Sequence, residues 1–92
     1  MKFRKKPVVI EAVQYDGSEK SVAEFLDRGF VSPFHNPDVI YKSGGGECLI
    51  KTLEGVMAAH PGDWIIRGVK GELYPIKDHI FRETYEAVEA VQ

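Results

Sequence analysis

The segment Pro61-Gly62-Asp63-Trp64 constrains the fold of this chain more than any other part of its sequence. Proline and glycine stand at the second and third positions of a type II turn, where glycine takes a positive φ without steric cost. The turn is followed by two strand-like runs, residues 64–67 and 72–76, and residues 68–71 form a turn between them. We call residues 61–76 the cassette. It predicts a β-hairpin in the second half of the chain.

Further short runs of β-branched or apolar residues predict strands at residues 7–15, 39–42, 48–53, 56–60 and 84–88. The first of these runs is apolar on both faces, so it is predicted to be a central strand. Glu11 in this strand would be partly buried and in need of a partner. In the cassette, alternation puts Trp64 and Ile66 on one strand face, and Ile65 on the other face with Arg67, which is predicted to point outward.

One short helix is predicted at about residues 21–28. Ser21-Val22-Ala23-Glu24 fits a capping box, and Ser18 is an alternative cap one turn earlier. Gly29 stands where the left-handed residue after a helix belongs. A single helical turn over residues 77–81, capped by Asp78, is expected before the last strand.

These elements predict an α+β fold that is mainly antiparallel β. We expect a rolled sheet or a partly open barrel of about six to seven short strands with one short helix. The 92 residues form a single domain, residues 1–92, with a thin core. Because Cys48 is the only cysteine, no internal disulfide can staple that core. Self-association into a homo-oligomer is therefore expected.

Composition and charge exclude several classes of protein. The net charge of −2 gives no general attraction to nucleic acid or to anionic lipid, although four of the first six residues are basic. No apolar stretch approaches the roughly 18 residues of a membrane span. The basic N-terminus is followed by no cleavable signal pattern. With its lone cysteine, the chain is predicted to be cytoplasmic, with no membrane partner and no nucleic-acid partner.

The sequence shows no local pattern of metal-binding or nucleophilic residues, so neither a metal nor a cofactor is predicted. The three histidines, His35, His60 and His79, are too far apart for a local metal motif. Cys48 lies in a predicted strand, where a buried inert thiol is favoured over a nucleophile. The glycines at residues 44–46 lack the lysine of a phosphate loop and are interpreted as a turn.

Asp63 and Glu72 are two carboxylates of the cassette hairpin that could form an acid–base pair. Asp63 is better explained by bonds to backbone N–H groups of its own turn. Glu72 is better explained by cross-strand pairing with Arg67 or Lys70.

The best candidate binding site combines His60, Trp64, Arg67, Tyr74 and Lys77. Aromatic rings beside cations can stack on a base and hold a phosphate. The same alternation is required by a buried strand face, so a core or a subunit interface is favoured over a ligand platform. A small enzyme with a site assembled across strands from Glu11, His60, Asp63 and Lys77 is a further alternative.

Both ends of the chain resemble a family of small, uncharacterised phage and prophage proteins. The resemblance rests on KFRKKPVVIEAVQ at residues 2–14 and PGDWIIRGVKGELYPIKDHIFRETYE at residues 61–86, which are 39 of the 92 residues. It implies a bacterial host cytoplasm and a phage-related role, and it supplies no catalytic residues. The expected function is therefore a non-enzymatic accessory protein that binds a host protein or a small nucleotide-like ligand. The alternatives are a structural or morphogenesis component of the phage particle and the small enzyme.

Overall fold

The computed structural model describes residues 1–4, 8–26, 38–41 and 46–88. The elements in chain order are β1 (Glu11–Gln14), α1 (Glu19–Leu26), β2 (Val39–Tyr41), β3 (Cys48–Thr52), β4 (Gly55–Ala59), β5 (Trp64–Arg67), β6 (Leu73–Ile76) and α2 (Asp78–Thr84). The strands form two antiparallel three-stranded sheets, ordered β1-β5-β6 and β2-β3-β4. The predicted fold class is confirmed: within the described residues, six strands form a mainly antiparallel α+β fold without a closed barrel.

The core lies between the two sheets, and α1 closes one side of it. Its buried residues come from both sheets, the helix and the residue after β1: Tyr15, Val22, Phe25, Leu26, Cys48, Ile50, Ala59, Ile65 and Leu73. α1 contributes three of them at i, i+3 and i+4, which is the spacing of one helix face. A helix of eight residues is marginal alone, so α1 is held in place by this burial.

The first turn of the cassette joins β5 to the end of β1. The Asp63 amide donates to the His60 carbonyl at 2.9 Å, as a type II turn requires. Gly62 has the predicted positive φ, 95°. The Gly62 amide donates to the Tyr15 carbonyl at 2.7 Å, and the Tyr15 amide donates to the Asp63 carbonyl at 2.8 Å. The turn therefore extends the pairing between β1 and β5 beyond the ends of both strands.

The second turn of the cassette is also held by backbone bonds. The Gly68 amide donates to the Glu72 carbonyl at 2.8 Å. The Glu72 carboxylate accepts the Lys70 backbone amide at 3.2 Å. The predicted pairing of Glu72 with Lys70 is therefore present, but it is made through the Lys70 backbone amide within the turn.

The start of α1 differs from the prediction. The helix begins at Glu19, so the capping box at Ser21 is wrong. The alternative cap is confirmed, because the Ser18 hydroxyl accepts the Ser21 amide at 3.3 Å. Asp16 orients this cap by accepting the Ser18 amide at 2.8 Å and the Ser18 hydroxyl at 2.6 Å. The predicted helix end at Gly29 lies outside the described residues.

β1 is an edge strand among the described residues, so the prediction of a central strand is wrong. It pairs with β5, and Glu11 is exposed instead of partly buried. The apolar residues on its two faces have separate roles. Val13 packs against the core, whereas Ala12 and residues 8–10 line a groove on the opposite side.

α2 replaces the last strand that the sequence predicts. It spans Asp78–Thr84 instead of a single turn, and residues 85–88 form no strand. Lys77 occupies the N-cap position and makes no side-chain capping hydrogen bond, so Asp78 is not the cap. Asp78 instead forms an i,i+4 ion pair with Arg82 at 2.9 Å, which supports the additional turn. The described residues therefore hold two helices instead of the one predicted.

We expect the thiol of Cys48 to be inert in the native protein. Burial in β3 raises its pKa to about 11, so little thiolate exists at neutral pH. A reagent such as DTNB should react slowly with the native chain and rapidly, with one thiol per chain, in guanidinium. Native labelling as fast as that of the unfolded chain would contradict the burial of this side chain.

Candidate binding groove

An open groove of about 330 Å³ lies between the segment before β1 and the segment after α2. Residues 8–10 and Ala12 form one wall, residues 85–88 form the other, and Trp64 and Phe81 lie between them. The lining is mostly apolar, and the volume falls in the range of about 300–1,000 Å³ that is typical of ligand sites. We call this feature the aromatic groove.

Three aromatic rings stack along the aromatic groove. The ring centroids of Trp64 and Phe81 are 4.1 Å apart with an interplanar angle of 13°. Those of Phe81 and Tyr85 are 5.3 Å apart with an angle of 24°. Phe81 and Tyr85 share a face because they are one helical turn apart. Tyr74 of β6 adds a contact from the side, with its hydroxyl 3.5 Å from that of Tyr85.

Asp78 fixes the orientation of Trp64. Its Oδ1 accepts the indole N–H at 2.8 Å. Its two oxygens also accept from Nε of Arg82 at 2.9 and 3.0 Å, and the Gln14 amide adds a contact at 3.5 Å. The polar edge of the indole is therefore engaged by α2, while its apolar part lines the groove.

We expect the contact between Asp78 and Trp64 to be lost only in acid. The hydrogen bonds from Trp64 and Arg82 lower the pKa of Asp78 from its ordinary value of 3.8. A carboxylate whose pKa is lowered on folding stabilises the fold above its unfolded-state pKa. It loses that contribution as the pH falls through the folded-state pKa. The indole N–H resonance of Trp64 should therefore shift with a midpoint below 3.8.

The Asp78→Asn variant is the control for this titration, and its indole resonance should lack the transition. Trp64 is the only tryptophan, so the signal needs no further assignment. A wild-type midpoint at or above 3.8 would contradict the hydrogen bond as the cause of the lowered pKa.

The five residues predicted as a binding site do not share one surface. Trp64 lines the aromatic groove, and Tyr74 contacts its ring stack. Arg67 instead packs against α1: its Nη2 donates to the Phe25 carbonyl at 2.7 Å, and its guanidinium lies 4.5 Å from the Phe25 ring centroid. The prediction that Arg67 points outward is wrong. The last turn of α1 offers this cation both a carbonyl acceptor and an aromatic face.

His60 and Lys77 meet at the carboxylate of Asp63. Asp63 is 6% exposed. Its Oδ2 accepts the His60 backbone amide at 2.8 Å and the Lys77 ammonium at 3.2 Å. The His60 ring lies between two carboxylates, with Nδ1 3.7 Å from Asp63 and Nε2 3.7 Å from Glu47. We call Glu47, His60, Asp63 and Lys77 the Asp63 cluster. The bond to the His60 amide confirms that Asp63 organises its own turn.

The Asp63 cluster contains three of the four residues considered for an enzyme site. Glu11, the fourth, is on β1 opposite Arg67 and does not join them. Asp63 and Lys77 border a cavity of about 230 Å³ whose remaining lining is Met57, Ala58, Pro75, Ile76 and Ile80. His60 does not line this cavity. The three polar groups are therefore close together without sharing one concave site.

Phe81, Tyr85 and Glu47 are site residues that the sequence reasoning did not select. The i,i+4 spacing of Phe81 and Tyr85 indicates a helix face, but the sequence analysis places Phe81 in a single helical turn and Tyr85 in the last strand. Glu47 reaches His60 through the β3–β4 register, in which Cys48 pairs with Ala59. The predicted strands, 48–53 and 56–60, would pair Leu53 with Val56, whereas the observed register pairs Thr52 with Gly55; only the observed register brings Glu47 opposite His60.

No family model, no curated protein and no solved structure matches this chain. The resemblance of its two ends to phage proteins thus stays a prediction from the motifs. In the part of the chain that the structure describes, neither helix has the length and apolar character to cross a membrane. The same part contains no group of three or more His, Cys, Asp or Glu residues placed to hold a metal ion.

Proposed function

We propose that this chain is a phage- or prophage-encoded accessory protein that acts by binding, as a homo-oligomer, through the aromatic groove. The groove itself carries the proposal, because its rings are stacked and its apolar rim is open to solvent. Val9 and Val88, on opposite walls, are 72% and 68% exposed. Covering such a surface is favourable, since each Å² of apolar area removed from water contributes about 25 cal/mol.

The charged residues around the groove favour a polypeptide ligand over a nucleotide-like one. A nucleotide-like ligand requires cations beside the aromatic rings. Arg67 is bound to α1, Lys77 to Asp63 and Arg82 to Asp78, whereas Glu86 belongs to the groove lining. An apolar side chain with cationic neighbours fits this surface better than a phosphate does.

The polar side chains beside the ring stack also support binding over catalysis. Asp78 is engaged by Trp64 and Arg82. Burial and the hydrogen bond with Tyr85 raise the pKa of Tyr74 to about 12. Tyr74 therefore stays protonated at neutral pH and is a poor general base there.

Native mass spectrometry of the full chain, purified from an infected or lysogenic host, tests this function. We expect a homo-oligomer for the wild type. The Ala87→Arg variant, which places a cation in the groove wall, should shift the protein towards monomer. Val69→Arg, at an exposed position in the β5–β6 turn, is the matched control and should leave the oligomer unchanged. A wild-type monomer that retains no partner and turns over a substrate in a metabolite screen would contradict the proposal.

A structural role in the phage particle is a second candidate, and the β3–β4 hairpin favours it. β4 lies at an edge of its sheet, and Leu53 and Val56 expose most of their surface. An exposed apolar strand edge can pair with another chain. Co-purification with virions would support this role, and an intracellular dimer that is absent from particles would exclude it.

A further inference from the structure

The first four residues hold a large aromatic side chain in solvent. Phe3 is 87% exposed. It stands between two cations, Lys2 and Arg4. A solvent-exposed phenylalanine forgoes one of the largest burial contributions that a side chain can make. We call residues 1–4 the arm.

The aromatic groove offers the groups that the arm lacks. Its stacked rings present a surface on which a further ring packs in offset geometry. Glu86 belongs to the groove lining, and Glu83 is exposed on α2 about one turn earlier. The arm has one aromatic side chain between two cations, and the groove has a ring stack with Glu86 in its lining and Glu83 one turn earlier, so the two are complementary in chemistry and charge.

A second copy of the chain is better placed than the same chain to supply the arm. Phe3 is five residues before Val8, where the chain reaches the groove wall, and five residues span at most about 18 Å. Return into the same groove would require a chain reversal within that short stretch. Phe3 is 87% exposed, so the arm does not occupy the groove of its own chain.

We propose that the arm of one copy docks into the aromatic groove of a second copy, with Phe3 on the ring stack and Lys2 and Arg4 beside Glu83 and Glu86. A two-fold axis makes the exchange reciprocal, so a dimer contains two identical arm–groove contacts. The inference rests on the proposed function, to which it adds the occupant of the groove.

Sedimentation velocity of the full chain over a range of concentrations tests the anchor. Phe3→Ala should raise the dissociation constant of the dimer at least about tenfold, as loss of a central aromatic anchor does. Val69→Ala, which shortens another exposed apolar side chain, should leave the constant unchanged. Trp64 emission reports the groove directly and should shift to longer wavelength as the wild-type dimer dissociates on dilution.

Charge reversal tests whether the cations of the arm lie beside the carboxylates of the groove. Lys2→Glu with Arg4→Glu should weaken the dimer, most strongly at low salt. Adding Glu83→Lys and Glu86→Lys to the same chain should restore the dimer, because the arm is then acidic and the groove basic, so their charges are again opposite. Lys20→Glu and Lys51→Glu, at exposed cations on α1 and β3, are the matched controls and should leave the dimer unchanged.

The outcomes separate this inference from the proposed function. A wild-type dimer that Phe3→Ala does not weaken would overturn arm docking and leave self-association intact. A wild-type monomer in which Phe3→Ala shifts Trp64 emission at every concentration would overturn exchange, because the arm then occupies its own groove. The wild type could instead be a monomer that retains a host polypeptide, and Ala87→Arg could release that polypeptide. This result would overturn arm exchange and would still support binding through the groove. A monomer that retains no partner, with emission unaffected by Phe3→Ala, would overturn both self-association and arm docking.

Discussion

Replacing Asp63 with alanine is expected to lower the free energy of unfolding by about 3 kcal/mol, because it removes two charge-assisted hydrogen bonds from a buried site. The carboxylate is 6% exposed. It accepts the His60 amide at 2.8 Å and the Lys77 ammonium at 3.2 Å. The same turn bonds Tyr15 through two backbone hydrogen bonds, so its loss also loosens the end of β1. Urea unfolding followed by Trp64 fluorescence measures the change.

Two milder variants separate the stability contributed by the turn from that contributed by the Asp63–Lys77 ion pair. Asp63→Asn keeps an acceptor for the His60 amide and loses the charge that faces Lys77, so about 1 kcal/mol is expected. Lys77→Met removes the ammonium alone. Its side chain is 54% exposed, so this change should cost less than about 1 kcal/mol. If Asp63→Ala costs no more than Lys77→Met, the carboxylate does not organise the turn.

The parts of the fold that local chemistry determines could be predicted from the sequence. The positive φ of Gly62 is a position that glycine occupies without strain, and proline before it fixes the preceding φ. The apolar stripe of α1 follows from spacing alone. These features depend on neighbours in sequence, so one chain is sufficient to infer them.

The parts that depend on tertiary contacts could not be predicted. The run at residues 84–88 favours a strand locally, but Phe81 stacks on Trp64 and Tyr85 stacks on Phe81, and these contacts keep the region on α2 and in the segment after it. β1 is apolar on both faces because one face meets the core and the other meets the aromatic groove. An edge strand covered on both faces has the same pattern as a central strand.

The sequence correctly placed the aromatic residues of the candidate site together, but it did not predict where the charged residues would lie. Trp64 and Tyr74 do contact one ring stack, since they lie on one face of neighbouring strands. Sequence alternation could not show which acceptors the cations would meet. Arg67 finds the end of α1 and Lys77 finds Asp63, and both acceptors come from distant or turn residues.

Ile65→Ala and Ile66→Ala are each expected to lower the free energy of unfolding by about 3–4 kcal/mol, within the roughly 2–5 kcal/mol that truncating a buried isoleucine costs. Both side chains are 0% exposed. They point to opposite faces of β5, because successive strand residues alternate. Ile65 packs in the core between the sheets, whereas Ile66 shares the face that carries Trp64. A chain of 92 residues has a total stability of about 5–14 kcal/mol, so the double variant should lose roughly half of that stability or more.

The comparison of the two variants tests whether the face of β5 that carries Trp64 and Ile66 is packed. Val56→Ala, at an exposed position of β4, is the control and should change stability by at most about 0.5 kcal/mol. If Ile66→Ala costs as little as this control while Ile65→Ala remains costly, then that face is not packed in solution. The Trp64 stack would then be too loosely held to form a groove wall. Equal costs would instead show that β5 is buried on both sides, which is the condition for the aromatic groove to be a fixed feature of the fold.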